Sequence, residues 1–117
     1  MKPLLGLRSA FYAAPDLALA KRWYIEATGI EPYFDQPFYV GFEIGGYELG
    51  LIPDGAPSSG SAYWGVKEIE AAFERLLSLG ATVVEAPRDV GGGIRTAAVR
   101  DPFGNVLGII ENPSAGR

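Results

Sequence analysis

The chain has 117 residues, 48 % of them apolar and 12 % aromatic, which excludes a disordered segment and supplies one domain with a single core. It contains no cysteine and no histidine, which rules out disulfides, thiolate metal sites and thiol nucleophiles and removes the commonest general base and metal ligand. The net charge of −4 argues against a nucleic-acid partner, because phosphates demand a clustered basic surface, and favours neutral or cationic ligands.

The start of the chain is apolar, but Arg8 interrupts the run before it reaches the length of a signal-peptide core, so it reads as mature sequence. No segment reaches the length of a membrane span, and a cytoplasmic location is expected by default. Leu4 to Ala14 reads as a strand. Pro15-Asp16 starts a helix over about residues 16–28, in which Leu17, Ala20, Tyr24 and Ala27 recur at helical spacing until Gly29. Glu31 to Phe34 is expected as a short edge strand because it contains Pro32, with Asp35-Gln36-Pro37 as the turn that closes it. Phe38 to Ile44 and Tyr47 to Ile52 form a hairpin about the Gly45-Gly46 pair.

Residues 53–60 are rich in Pro, Gly and Ser and read as a linker. Beyond it the plan repeats. Ser61 to Val66 is a strand, about 67–79 a helix with Ile69, Ala72, Phe73, Leu76 and Leu77 on one face, and Thr82 to Glu85 a short strand. Val90 to Gly93 reads as a loop, and Arg95 to Arg100 and Val106 to Glu111 as a last hairpin around Asp101-Pro102-Phe103-Gly104-Asn105. The repetition is visible residue by residue. Ser9-Ala10-Phe11-Tyr12-Ala13 recurs as Ser61-Ala62-Tyr63-Trp64-Gly65, and Gly46-Tyr47-Glu48-Leu49-Gly50-Leu51-Ile52 recurs as Gly104-Asn105-Val106-Leu107-Gly108-Ile109-Ile110. The chain therefore divides into a first module over about 1–53 and a second over about 61–112.

Asp101-Pro102-Phe103-Gly104-Asn105-Val106-Leu107, preceded by Gly93-Ile94-Arg95-Thr96-Ala97, resembles the vicinal oxygen chelate superfamily of glyoxalases, extradiol dioxygenases and bleomycin-resistance proteins. Ala14-Pro15-Asp16-Leu17, Trp23-Tyr24 and Thr28-Gly29-Ile30 resemble that family's first strand-to-helix passage. The resemblance implies an α+β fold of two tandem βαβββ modules whose curved mixed sheets surround a central cavity. It also implies pairing into a homodimer. Metal-dependent members of the family place four ligands on equivalent strands, and those positions fall here on Ser9, Gly50, Ser61 and Gly108. Glycine offers no side-chain ligand and serine a poor one, so neither a metal nor another cofactor is expected.

Strand alternation sorts the remaining candidates by face. A two-residue turn at Gly45-Gly46 sets Glu43 opposite Glu48 and places both with Tyr39, Gly41 and Gly50 on the face of the empty ligand positions. The other strands are expected to send Ser9, Phe11, Ser61, Tyr63, Arg95, Ala97 and Ile110 to the same cavity, which the glycines make roomier. Aromatics at strand spacing are more often core than ligand contact, Arg95 is more often an ion-pair residue, and the serines lack a histidine to activate them. Asp101 and Asn105 suit turn chemistry, and Glu111 falls on the face opposite Gly108.

Two functions lead at this point, ahead of a third in which the chain is a subunit acting mainly through protein contacts. One is a metal-free binding protein resembling the bleomycin-resistance branch, which sequesters a small aromatic or cationic compound. Its ligand residues are Ser9, Phe11, Tyr39, Glu43, Glu48, Ser61, Tyr63, Arg95 and Ile110. The other is a lyase or isomerase with Glu43 or Glu48 as general base, with or without a divalent metal.

Overall fold

The computed structural model describes residues 8–54, 57 and 62–113. The chain divides into two compact units, Met1–Gly55 and Ala56–Arg117. The first contains β1 (Ser9–Ala13), α1 (Leu17–Thr28), β2 (Phe34–Gln36), β3 (Tyr39–Ile44) and β4 (Tyr47–Ile52). The second contains β5 (Tyr63–Gly65), α2 (Ile69–Ser78), β6 (Thr82–Gly91), β7 (Ile94–Arg100) and β8 (Val106–Glu111). Each is a βαβββ module. Their sheets have the orders β1-β4-β3-β2 and β5-β8-β7-β6, with the first pair parallel and the others antiparallel.

In each module the helix covers one face of the sheet, and alternation decides which side chains lie beneath it. Tyr12, Ala20, Tyr24, Val40, Phe42, Leu49 and Leu51 are buried in the first module. Ile69, Phe73, Leu76, Ala97, Val99, Leu107 and Ile109 are their counterparts in the second. Asp16 caps α1 by accepting the Leu19 N–H at 3.1 Å, a contribution of about 1 kcal/mol, and Gly29 ends the helix in the left-handed conformation at φ 73°. Helix α2 lacks such a cap of its own. Glu111 of β8 accepts the Ile69 N–H at 2.8 Å instead.

The two helices and the Gly45-Gly46 hairpin stand where the sequence places them, with both glycines at positive φ. Three boundaries differ. Strand β2 begins at Phe34 and includes Asp35 and Gln36, and the turn falls at Pro37-Phe38, which puts Phe38 outside the strand that the sequence starts there and leaves it 66 % exposed. Strand β6 runs on to Gly91, because register shifts between Val83 and Glu85, Glu85 and Arg88, and Asp89 and Gly91 accommodate Pro87 on a sheet edge.

The register of the last hairpin also departs from the expected faces. Arg100 pairs with Val106 across the five residues 101–105, so Arg95 stands opposite Glu111 and Ala97 opposite Ile109. Arg95 and Ala97 therefore lie on the face that α2 covers, not with Gly108 and Ile110. The physical reason is the odd loop length, which pairs odd-numbered residues with odd. The loop is held from inside by buried Asp101, which accepts the N–H groups of Phe103 at 2.9 Å and Asn105 at 2.7 Å and the Asn105 side-chain N–H at 3.0 Å. These residues do turn chemistry, as the sequence indicates.

Candidate functional site

The free face of the first module is built around two glycines. Gly41 of β3 pairs with Gly50 of β4, so the centre of the sheet presents bare backbone. A Cβ at Gly41 would lie 2.9 Å from Glu48 Oε2 and from Tyr39 Cε2 and 3.1 Å from Tyr33 Cε1. A Cβ at Gly50 would lie 2.5 Å from the Tyr39 hydroxyl and 2.6 Å from Phe11 Cδ1. The expectation that glycines enlarge the space is therefore corrected. They let a carboxylate and three rings settle directly on the sheet.

Glu48 is the polar centre of this cluster. Its Oε1 accepts the hydroxyl of Tyr33 at 2.5 Å and its Oε2 accepts the hydroxyl of Tyr39. Burial first, and then donation to Glu48, push the Tyr39 phenol well above the ordinary tyrosine range. The bond to Glu48 is the largest cause of a rise at Tyr33 as well. Both phenols are thereby fixed as donors to the carboxylate. Phe34 stands 5.9 Å from Tyr39, 6.4 Å from Tyr33 and 6.0 Å from Phe38, and Phe11 stands 6.3 Å from Tyr39, ring centre to ring centre. Phe11, Tyr33 and Phe38 are each more than half exposed. A contiguous group of exposed rings around a charge is the kind of surface that marks a binding site.

The residues expected to line a ligand site separate into groups. Ser9, Phe11, Tyr39, Glu43 and Glu48 share the glycine-floored face, with Ser9 in register with Glu48 and Glu43 directly opposite it. Glu43, however, turns to the hairpin and accepts the Gly46 N–H at 2.7 Å, so the expected pair of free carboxylates becomes one. In the second module Tyr63 lies over Gly108, with Tyr63 Cδ1 2.6 Å from where a Cβ would sit, and Ile110 follows on the same face. Arg95 lies on the other side and pairs with Glu70 of α2 at 2.5 Å, not with Glu43 or Glu48. Ser61 lies outside the described residues.

Tyr33 and Phe34 were not among the expected site residues. An edge strand that ends at Phe34 carries no register with its neighbour, whereas the structure pairs Phe34 with Gly41. The signal that would have found them is the density of rings in Tyr33, Phe34, Phe38 and Tyr39, flanking Gly41.

Of the positions that the family resemblance marks for metal ligands, the three among the described residues offer little to a divalent ion. Ser9 offers one exposed hydroxyl, and Gly50 and Gly108 lie under the rings of Phe11 and Tyr63. Among the described residues no three or more Asp, Glu, His or Cys side chains come together in a group able to hold an ion. No helix among the described residues is long and apolar enough to cross a membrane.

Solved structures share this architecture. Lactoylglutathione lyase from Agrobacterium tumefaciens superposes with a TM-score of 0.80 at 23 % identity, covering 99 % of this chain and 100 % of that one. A glyoxalase-related enzyme from Fulvimarina pelagi gives 0.73 at 23 % identity over 94 % and 90 % of the two chains. A superfamily member from Sphaerobacter thermophilus gives 0.76 at 21 % identity over 93 % and 98 %. At these identities the likeness establishes the fold alone. No curated protein sequence matches significantly. The sequence model of one family matches residues 6–109, and with the doubled βαβββ topology it establishes that this chain belongs to the glyoxalase/bleomycin resistance protein/dioxygenase superfamily.

Proposed function

We propose that this chain binds a small aromatic compound of cationic character on the glycine-floored face of its first module, and holds it without a metal ion and without transforming it. The observation that carries this reading is the Glu48 carboxylate, fixed by two phenols among exposed rings. A carboxylate in that setting attracts a cation, and each suitably placed ring face adds about 0.5–2 kcal/mol of cation–π attraction. The net charge of −4 favours the encounter. Ring faces supply the apolar contact that small-molecule sites in general require.

A second reading, a lyase or isomerase with a glutamate as general base, draws on the similarity to a lactoylglutathione lyase. The local bonding speaks against it. Both oxygens of Glu48 already accept a phenol hydrogen, and Glu43 is bonded to the hairpin backbone. A proton accepted at either carboxylate weakens those bonds, which are strongest to the ionised form.

Glu48→Gln tests the two together. Under the binding reading it weakens a naphthylmethylamine probe about tenfold in calorimetry, equivalent to about 1.4 kcal/mol, and the loss grows at low salt. Glu111→Gln leaves that affinity unchanged, because Glu111 caps α2 on the other face. Normal binding by the Glu48 variant, with loss of turnover of an identified substrate, would establish the enzymatic reading instead. Titration with zinc, nickel, manganese and iron should find no stoichiometric site, and one tightly held ion per chain would overturn the metal-free part of the proposal.

A further inference from the structure

A tyrosine has one hydroxyl hydrogen, and Tyr33 and Tyr39 both donate theirs to Glu48. What the two phenol oxygens have left to offer is lone pairs. The ionised carboxylate is itself acceptor-only, with about four lone-pair positions of which two are taken. The sheet beneath adds one rotatable hydroxyl, that of Ser9 in register with Glu48, which accepts as readily as it donates; Gly41 and Gly50 have no side chains and their backbone groups belong to the strand ladder. The nearest carboxylate on that face, Glu43, is also an acceptor. Lys21, the cation of α1 nearest β2, is drawn to Asp35 at 2.7 Å on the helix side of the sheet. The centre of the site is thus a group of acceptors ringed by aromatic faces.

From this arrangement we infer that the site selects an aromatic compound whose cationic head carries N–H donors, such as an ammonium, amidinium or guanidinium, over a quaternary ammonium of the same size, and that Tyr33 is a specificity-determining residue. The inference rests on the binding reading above and goes further. A quaternary head gains Coulomb and cation–π attraction but leaves the remaining lone pairs of Glu48 and the two phenols unused once water is expelled. An N–H head satisfies them through charge-assisted bonds. A carboxylate ligand meets a like charge and, apart from the Ser9 hydroxyl, only acceptors.

The test uses the full chain and three probes of one ring system: naphthylmethylamine, its trimethylammonium analogue and naphthoate. Calorimetry on the unsubstituted protein should rank the amine at least about tenfold above the quaternary probe, with naphthoate weakest. Tyr33→Phe removes one acceptor and keeps the ring, so it should weaken the amine several times more than the quaternary probe. A merely structural role for Tyr33 would weaken both alike. Equal affinity of amine and quaternary probe, with both lost in Glu48→Gln, would overturn donor selection while leaving cation binding in place. Naphthoate binding as well as the cations, or no cation binding, would overturn the reading on which it rests.

Discussion

The two modules share a topology, a strand order and an aromatic ring laid over a glycine, yet among the described residues only the first holds a carboxylate between phenols beside that ring. Phe11 over Gly50 in the first corresponds to Tyr63 over Gly108 in the second. Around this common feature the registers set Tyr39 against Thr96, Gly41 against Ala98, Glu43 against Arg100 and Glu48 against Val106. The ring-on-glycine contact therefore belongs to the repeated fold, and the carboxylate held by phenols belongs to one copy. The helix starts differ in the same spirit: α1 is capped by its own Asp16, α2 by Glu111 from the far end of its sheet. What is repeated serves packing, and what is not repeated is where binding chemistry is to be sought.

The sharpest way to break one module and spare the other is at the second hairpin. Asp101 is 4 % exposed and accepts three N–H groups, so Asp101→Ala removes the acceptor that holds the loop from inside. We expect a loss of about 3 kcal/mol in urea unfolding. Below the unfolding transition the variant should retain the affinity of the naphthylmethylamine probe. Loss of affinity in the folded variant would tie the second module to binding.

A matched pair of substitutions then sharpens the comparison. Gly50→Ala and Gly108→Ala each press a Cβ against a ring, at 2.5–2.6 Å from the nearest atoms, and each should cost about 1–3 kcal/mol of stability. Only Gly50→Ala displaces the Tyr39 hydroxyl from its place beside Glu48. The loss of cation affinity should therefore be confined to it. Equal losses from both would place the ligand on the repeated feature instead.

How much of this was legible in the sequence depends on what sets each position. The Glu43–Glu48 pairing follows from a two-residue glycine turn, which fixes register by itself. The faces of β7 do not follow from the residues of the strand, because the length of the Asp101–Asn105 loop decides them. The doubled topology was readable because the glycines and apolar positions recur in order. The phenol bonds to Glu48 were not, since they depend on where rings turn once a glycine leaves room, and on a β2 that starts three residues later than Glu31 suggests. Sequence gave the backbone order of the site, and the missing side chains gave it its contents.

The smallest expected effect is spectroscopic and bears directly on the phenol–carboxylate cluster. Titration of the six tyrosines by near-ultraviolet absorbance should show a late component from Tyr33 and Tyr39, whose protons are held beyond the ordinary value of 10.0. The consequence for stability has a definite sign. The unfolded chain releases these protons near the ordinary value while the folded chain keeps them, so this contribution is fully present below it and is lost as pH rises through the raised folded values. Glu48→Gln should affect the two phenols unequally. Tyr33 owes its rise chiefly to the bond with Glu48 and should fall back the further, whereas Tyr39 owes its rise first to burial and should keep much of it. A titration without a late component would mean that the phenols do not donate to Glu48 in solution, and the difference between the two modules would then lie in charge alone.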